Sequence, residues 1–385
     1  MDEGAAKRMA KPREASLMSA VPYVDLVKQN AALRPQILEA VDRVLCHGHF
    51  INGPEVQELE HELASKLGVG HVVGVGSGTA ALTLAMRAFG IGPGDEVITV
   101  AHSYVATATS IMLVGAIPVF VDIDPSTGLM DPALLDAKRT PRTKAVIPVH
   151  LGGVACEMAS IERFCTEHGL HLIEDCAQAI GATYGGRSVG SFGVGCFSLH
   201  PLKTLSACGD GGFITTSDEN LAELLRKLRT LGHRDRDRVD FASENARLDT
   251  LQAAILRVKL PHLEDWMAAR RAHGTAYTDA LRPFFELTAI TDSCEPAFSA
   301  FVIRHDERDA LMAHLAVRGF DTKVHYPIPI HQQKALASIE PVSLPHTELL
   351  VRRIVSLPVS PELGASERDA LIDVLIAWSA QRANA

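Results

Sequence analysis

The sequence predicts an α/β fold: a mostly parallel seven-stranded sheet flanked by helices in a large domain, followed by a smaller α+β C-terminal domain. Three observations lead there. Short apolar runs alternate with helical patterns from Val24 to about Pro261, which is the rhythm of parallel strands joined by crossover helices and covered on both faces. Beyond Pro261 the rhythm changes to long helical patterns around a single apolar run. The chain has 385 residues, 47% of them hydrophobic, more than one hydrophobic core ordinarily supports. The large domain is placed at residues 21–261 and the small one at 262–385. Residues 1–20, polar and mixed in charge, read as a flexible tail with no signal-peptide core.

The elements follow in order. Pro54 opens a helix whose apolar stripe is Val56, Leu59, Leu63 and Leu67, and Gly68 ends it. His71 to Val75 reads as a buried strand, and Thr79 to Phe89 as a helix closed by Gly90. Further strands are expected at Glu96 to Val100, Val119 to Val121, Ala145 to Val149, Leu170 to Ile173, Gly195 to Leu199 and Gly212 to Thr216. After Pro261 come a helix from His262 to about Leu281, a strand from Phe298 to Ile303, and helices at Asp306 to Arg318 and Ser366 to Ala380.

Composition excludes several function classes. The formal charge is -9, and the basic residues are dispersed, so no basic field exists to draw nucleic acid. No apolar run approaches the roughly 20 residues that span a bilayer. The seven cysteines, Cys46, Cys156, Cys165, Cys176, Cys196, Cys208 and Cys294, form no Cys-x-x-Cys pair and sit mostly in apolar stretches. They read as reduced thiols of a cytoplasmic protein, with no metal framework.

Three segments carry chemistry. Gly74-Val75-Gly76-Ser77-Gly78-Thr79 joins a strand to a helix start, where free N–H groups suit a phosphate. Position 79 is threonine, so the dinucleotide fingerprint is incomplete, and no lysine follows Gly78 as a P-loop requires. One phosphate, such as that of pyridoxal phosphate, fits better; a tight packing turn is the alternative. His171-Leu172-Ile173-Glu174-Asp175 sets two carboxylates at the carboxyl end of a strand, where ligands of open α/β sheets bind. A strand-end Asp often serves a turn instead, but a buried carboxylate needs a cationic partner, and a protonated pyridine nitrogen supplies one. Lys203 lies 28 residues beyond Asp175, between a buried strand and the small-residue loop Ser206 to Gly212. Desolvation there favours the neutral amine, the form that attacks an aldehyde; a plain loop lysine is the alternative.

From about Val24 onward the chain resembles the DegT/DnrJ/StrS family of sugar aminotransferases, a branch of the aspartate-aminotransferase fold (type I of the pyridoxal-phosphate enzymes). The resemblance rests on Gly76-Ser77-Gly78-Thr79-Ala80-Ala81-Leu82, Gly92-Pro93-Gly94-Asp95-Glu96-Val97-Ile98, Tyr104-Val105-Ala106-Thr107-Ala108 and Pro118-Val119-Phe120-Val121-Asp122-Ile123. It continues through Glu174-Asp175-Cys176-Ala177-Gln178-Ala179, Phe197-Ser198-Leu199-His200-Pro201-Leu202-Lys203, Gly209-Asp210-Gly211-Gly212, Asn245-Ala246-Arg247-Leu248-Asp249 and His325-Tyr326-Pro327-Ile328-Pro329-Ile330-His331.

The resemblance implies roles at matching positions. Lys203 would form the imine to pyridoxal phosphate and shuttle the proton, and Asp175 would keep the pyridine nitrogen protonated. Tyr104 would stack on the ring, Gln178 would touch its 3-hydroxyl side, and Gly78, Thr79 and Ser198 would hold the phosphate. Asn245 would reach that phosphate from the other subunit, implying a homodimer with shared sites. Tyr104 as ordinary core and Asn245 as a helix N-cap are the alternatives. Departures at Thr204, Ser243 and Ser299, where many members have Asn, Gly and His, bear on the substrate. A minority of the family has histidine at the lysine position and acts as dehydratases; Lys203 stands against that branch.

The implied reaction moves an amino group from L-glutamate to a nucleotide-linked keto-sugar, the cofactor passing through pyridoxamine phosphate. An aminocyclitol ketone, a non-nucleotide sugar, or a non-catalytic regulator of the same fold are the alternatives. Lys323, His325, Tyr326 and His331 are candidate substrate contacts. The loop His233-Arg234-Asp235-Arg236-Asp237-Arg238 is either a pyrophosphate contact or a solvated charged loop.

Overall fold

A computed structural model describes residues 21–383. The tail expected at 1–20 lies outside the described residues. The central sheet has seven strands: β1 (His71–Val75), β2 (Glu96–Val100), β3 (Ile117–Val121), β4 (Thr143–Val146), β5 (His171–Asp175), β6 (Val194–Ser198) and β7 (Gly212–Thr216), ordered β1-β7-β6-β5-β4-β2-β3. β7 is antiparallel to both its neighbours, and every other pairing is parallel. The seven expected runs therefore form one sheet, shifted by no more than three residues at their ends. Val149, expected at the end of the fourth run, falls past β4 and bridges Asp175.

Alternation along the strands sends side chains to two separate apolar layers. Val72, Ile98, Val146, Leu172 and Phe197 belong to one buried cluster, and Val73, Val97, Ala145, Ile173 and Cys196 to the other. The helix Gly78–Ala88 covers the second layer through Ala81, Leu82, Leu84 and Ala85. The helix Pro54–Leu67 forms for local reasons: proline at its first position, a buried stripe of Val56, Leu59, Leu63 and Leu67, and Gly68 at φ 66 closing it. None of the seven cysteines is paired, and five of them are buried.

Past the 3-10 turn Leu260–His262, the helix Leu263–Leu281 leads to a small antiparallel sheet of Glu286–Leu287, Phe301–Arg304 and Ile354–Leu357. Tyr277, Leu281, Ile303, Leu315, Leu357, Leu371 and Leu375 form its core together with Val21, whose backbone bridges Phe320. Among the described residues no helix is long and apolar enough to cross a membrane.

Candidate active site

The carboxyl ends of β1, β5 and β6 converge on one place. After β1, Ser77 caps the helix Gly78–Ala88, its hydroxyl accepting the Ala80 N–H at 3.1 Å. Gly78 and Thr79 fall in the first turn, where N–H groups have no intrahelical acceptor. A Cβ on Gly78 would stand 2.9 Å from the Ser198 Cβ, so the helix start abuts the end of β6. Backbone donors, a helix N-terminus and the Ser198 hydroxyl thus meet, an arrangement that suits a phosphate.

Asp175 ends β5 and is 5% exposed. Its Oδ2 accepts the Thr107 hydroxyl at 2.8 Å and its Oδ1 the Ala177 N–H at 3.2 Å. Burial pushes its carboxyl above the usual range, opposed by these hydrogen bonds and then by the Lys203 charge. Lys203 follows the end of β6 and is half-buried. Burial lowers its amine below the ordinary lysine range, opposed by the Asp175 charge. Asp175 closes no ion pair with Lys203 or any other basic side chain among the described residues. A buried carboxylate without a direct cationic partner fits a cationic ring nitrogen placed between them.

The neighbouring Glu174 points to the opposite face and is spent on structure. Its Oε1 accepts the N–H groups of Phe192 (2.9 Å) and Gly193 (3.0 Å), and its Oε2 those of Gly190 (2.8 Å) and the His150 ring (3.2 Å). His150 receives the Cys156 N–H at Nδ1, 3.1 Å away. Its ring proton facing Glu174 is therefore assigned to Nε2. His150, Glu174 and Cys176 lie close enough to hold a metal, but these hydrogen bonds already use the lone pairs a metal would need.

Four more expected residues join the site. Gln178 donates from Nε2 to the Tyr326 hydroxyl at 3.0 Å and accepts the Gly152 N–H at 2.8 Å. Tyr104 is 57% exposed, which removes the reading of it as core, and its ring centroid is 5.5 Å from that of Tyr326. His325 lies close enough for the Lys203 charge to act on it. Burial first, then the charges of Lys203, Lys323 and His102, lower its imidazole to about 4. Its Nδ1 faces the Ser356 hydroxyl at 2.9 Å.

Other expected residues stand apart. His331 contacts Glu348 at 3.2 Å and packs near Phe120. Lys323 is paired with Asp321 at 2.8 Å. The loop from His233 to Arg238 pairs largely within itself and with its neighbours, through Arg238–Asp235 at 2.6 Å and Arg234–Asp240. Asn245 is exposed and bridges Thr230 through its backbone. It is not an N-cap: the next helix is Thr250–Lys259, whose N-cap position is Asp249. Residues 244–247 run extended instead, with the Ala246 carbonyl accepting the Gly76 N–H at 2.8 Å.

Sequence reasoning missed Thr107, Ser103 and His102. Thr107 stood inside a recognised motif, three residues after Tyr104, which was its only signal. His102 has a ring nitrogen against each of two carbonyls, Gly128 (2.9 Å) and His325 (3.2 Å). It also lines a cavity of about 410 Å³ beyond Gly152 and His325. Neither Lys203 nor Asp175 lines that cavity, so the site is recognised by its chemistry and not by volume.

Comparison with known proteins agrees with this chemistry. The model of the DegT/DnrJ/EryC1/StrS aminotransferase family matches residues 31–375. The dTDP-3-amino-3,4,6-trideoxy-alpha-D-glucose transaminase of Streptomyces venezuelae is 40% identical over 364 residues, 93% of this chain and 96% of that protein. The UDP-N-acetyl-3-dehydro-alpha-D-glucosamine 3-aminotransferase of Acidithiobacillus ferrooxidans is 44% identical over 347 residues, 90% of this chain and 94% of that protein. The crystal structure of S. venezuelae DesV in complex with a ketimine intermediate has a TM-score of 0.91 at 40% identity, covering 93% of this chain and 98% of that one. With matches over nearly its whole length and the fold of the pyridoxal-phosphate transferases, the chain belongs to the DegT/DnrJ/EryC1/StrS aminotransferase family.

Proposed function

We propose that this aminotransferase moves an amino group from L-glutamate to a nucleotide-linked keto-sugar, with Lys203 and Asp175 as its catalytic pair. The carrying observation is a buried carboxylate and a desolvated amine, both at strand ends and each within reach of the other's charge, with no ion pair between them. Bound there, pyridoxal phosphate supplies an electron sink and, as pyridoxamine phosphate, stores the amino group between half-reactions. Lys203, its amine biased towards the neutral form, is the nucleophile towards an aldehyde and afterwards the base that moves a proton between two carbons. Asp175 holds the proton on the ring nitrogen. Gly78 and Thr79 offer N–H groups to the phosphate and Ser198 its hydroxyl, while Tyr104 and Gln178 bracket the ring.

The acceptor class is supported by the names of several relatives, which are transaminases of dTDP- and UDP-linked sugars. His325 and Tyr326 are the substrate contacts favoured here, with Lys323 and His331 further out. Asn245, exposed and with no side-chain hydrogen bond among the described residues, is free to reach the phosphate of a second subunit in a homodimer. The same reading divides the chain near Pro261 into a large cofactor domain and a smaller C-terminal one.

The experiment is a pair of half-reactions. Purified protein with pyridoxal phosphate is expected to release 2-oxoglutarate from L-glutamate. The aminated form should then return to its starting spectrum with one or more members of a panel of dTDP-, UDP- and GDP-keto-sugars. Cofactor binding without exchange by glutamate would point to a regulator of the same fold. Exchange without any response to the panel would move the acceptor to a non-nucleotide ketone.

A further inference from the structure

The helix Ala106–Leu113 contains two threonines that behave differently. Thr109 returns its hydroxyl to the Val105 carbonyl at 3.1 Å, and in the preceding helix Thr83 does the same to Thr79 at 3.0 Å. That is the ordinary habit of a helical threonine. Thr107 instead sends its hydroxyl across to Asp175 Oδ2, and its oxygen lies 2.7 Å from the Ser103 hydroxyl. Ser103, Thr107 and Asp175 are 3%, 1% and 5% exposed.

Counting protons gives the chain of bonds a direction. A carboxylate only accepts, so the single Thr107 proton points at Asp175. The Thr107 oxygen is then the acceptor for Ser103, and each hydroxyl has a partner. With Asp175 protonated at Oδ2 and donating, the order reverses: Thr107 would donate to Ser103. The Ser103 proton would then be buried with no acceptor among the described residues, an arrangement that costs free energy. A carboxyl protonated at Oδ1 still accepts from Thr107 at Oδ2, but as a neutral and weaker acceptor, so the chain of donors favours the ionised carboxylate.

We propose that Ser103 and Thr107 form a one-way hydroxyl relay that keeps Asp175 a carboxylate and fixes its orientation, which makes both of them positioning residues for the cofactor's ring nitrogen. The inference rests on the assignment of Asp175 under the proposed function. Tyr104 lies between the two relay residues, so one short segment sets both the face of the ring and the charge beneath its nitrogen. The other ionisable groups acting with Asp175 are Lys203, His150, Tyr326, Cys176 and Cys196. T107V and S103A each remove a hydroxyl and none of these groups.

The test compares T107V, which keeps the shape but loses the hydroxyl, with T107S, which keeps the hydroxyl, and with S103A. The readouts are the cofactor dissociation constant, measured by equilibrium dialysis from pH 5 to 8, and kcat and KM for L-glutamate. For T107V the dissociation constant is expected to rise roughly ten- to a hundredfold, the range of one hydrogen bond to a charged group. Its acid limb should move to higher pH, because an Asp175 deprived of its donor takes up a proton more readily. kcat should fall while the KM for glutamate holds. T107S should restore the native acid limb, and S103A should shift it in the same direction as T107V but less. An S103A acid limb identical to the native one, or T107S behaving like T107V, overturns the relay. The S103A result decides the matter even where T107V fails to fold. Reductive labelling of Lys203 in the unaltered protein separates the two levels: its absence rejects the parent assignment, whereas its presence with unmoved acid limbs rejects the relay alone.

Discussion

Glu174 and Asp175 are adjacent carboxylates on one strand, both buried, and their surroundings divide their fates. Strand alternation sends them to opposite faces of the sheet. Glu174 meets four donors, three from the backbone of residues 190–193 and one from His150, and both its oxygens are filled. Asp175 meets two donors and feels the charge of Lys203 without forming an ion pair with it. One carboxylate is a structural fastener, and the other retains capacity for a ligand. Burial alone does not mark a functional acid; the unfilled share of its hydrogen-bonding does.

The sharpest way to break this contrast is to neutralise each in turn. Asp175→Asn keeps the shape and removes the charge, and turnover is expected to fall by about a thousandfold or more, each tenfold corresponding to about 1.4 kcal/mol. Its urea midpoint should move little. A variant keeping more than about a tenth of native turnover, a barrier change under roughly 1.4 kcal/mol, would place the electron-sink partner elsewhere.

Glu174→Gln should show the reverse pattern. An amide facing three backbone N–H groups leaves a donor against donors, so stability should drop by about 1–3 kcal/mol, with turnover per folded molecule close to native. Chemical denaturation and active-site titration measure the two effects separately. A large loss of turnover at unchanged stability would erase the division between the two acids.

A third expectation concerns pH. His325 titrates near 4 in the fold, against an ordinary value near 6.5, so the unfolded chain takes up that proton first as pH falls. Its contribution to stability is whole above about 6.5 and is lost progressively towards 4. Urea midpoints at pH 7 and pH 5 should therefore differ less in His325→Gln than in the native chain. An equal difference would remove His325 from the account.

The smallest effect belongs to Lys323. Its partner Asp321 lies beside it in an exposed pair, and such pairs contribute about 0–1 kcal/mol. Lys323→Ala should leave the KM for the sugar nucleotide within about threefold, an energy under 1 kcal/mol. A larger rise would bring Lys323 into the substrate site.

Much of this was legible in the sequence because it is written in short-range pattern. Seven apolar runs became seven strands, and the glycine-rich turn, the strand-end acid and the lysine all fell at strand termini where such folds bind ligands. What escaped depends on tertiary contact. The departure of Thr107 from its own helix needs Asp175, 68 residues away, to be visible. The distinct fates of Glu174 and Asp175 depend on a loop at 190–193 that no local pattern announces. The alternative of Asn245 as a cap drew on asparagine's preference for helix starts, but the backbone there pairs with the Gly76 turn instead. His325 and His331 stand six residues apart in one motif, but the turn Ile330–Gln332 carries the second towards Glu348.

The central claim is that Lys203 and Asp175 share one cofactor. The direct measurement is reduction of the cofactor-loaded protein with borohydride, followed by peptide mapping. The account predicts one stoichiometric label, on Lys203, formed efficiently in the native chain and absent from Lys203→Ala even when that variant binds cofactor. A label on another lysine, or tightly bound cofactor that borohydride fixes to no residue at all, would contradict it.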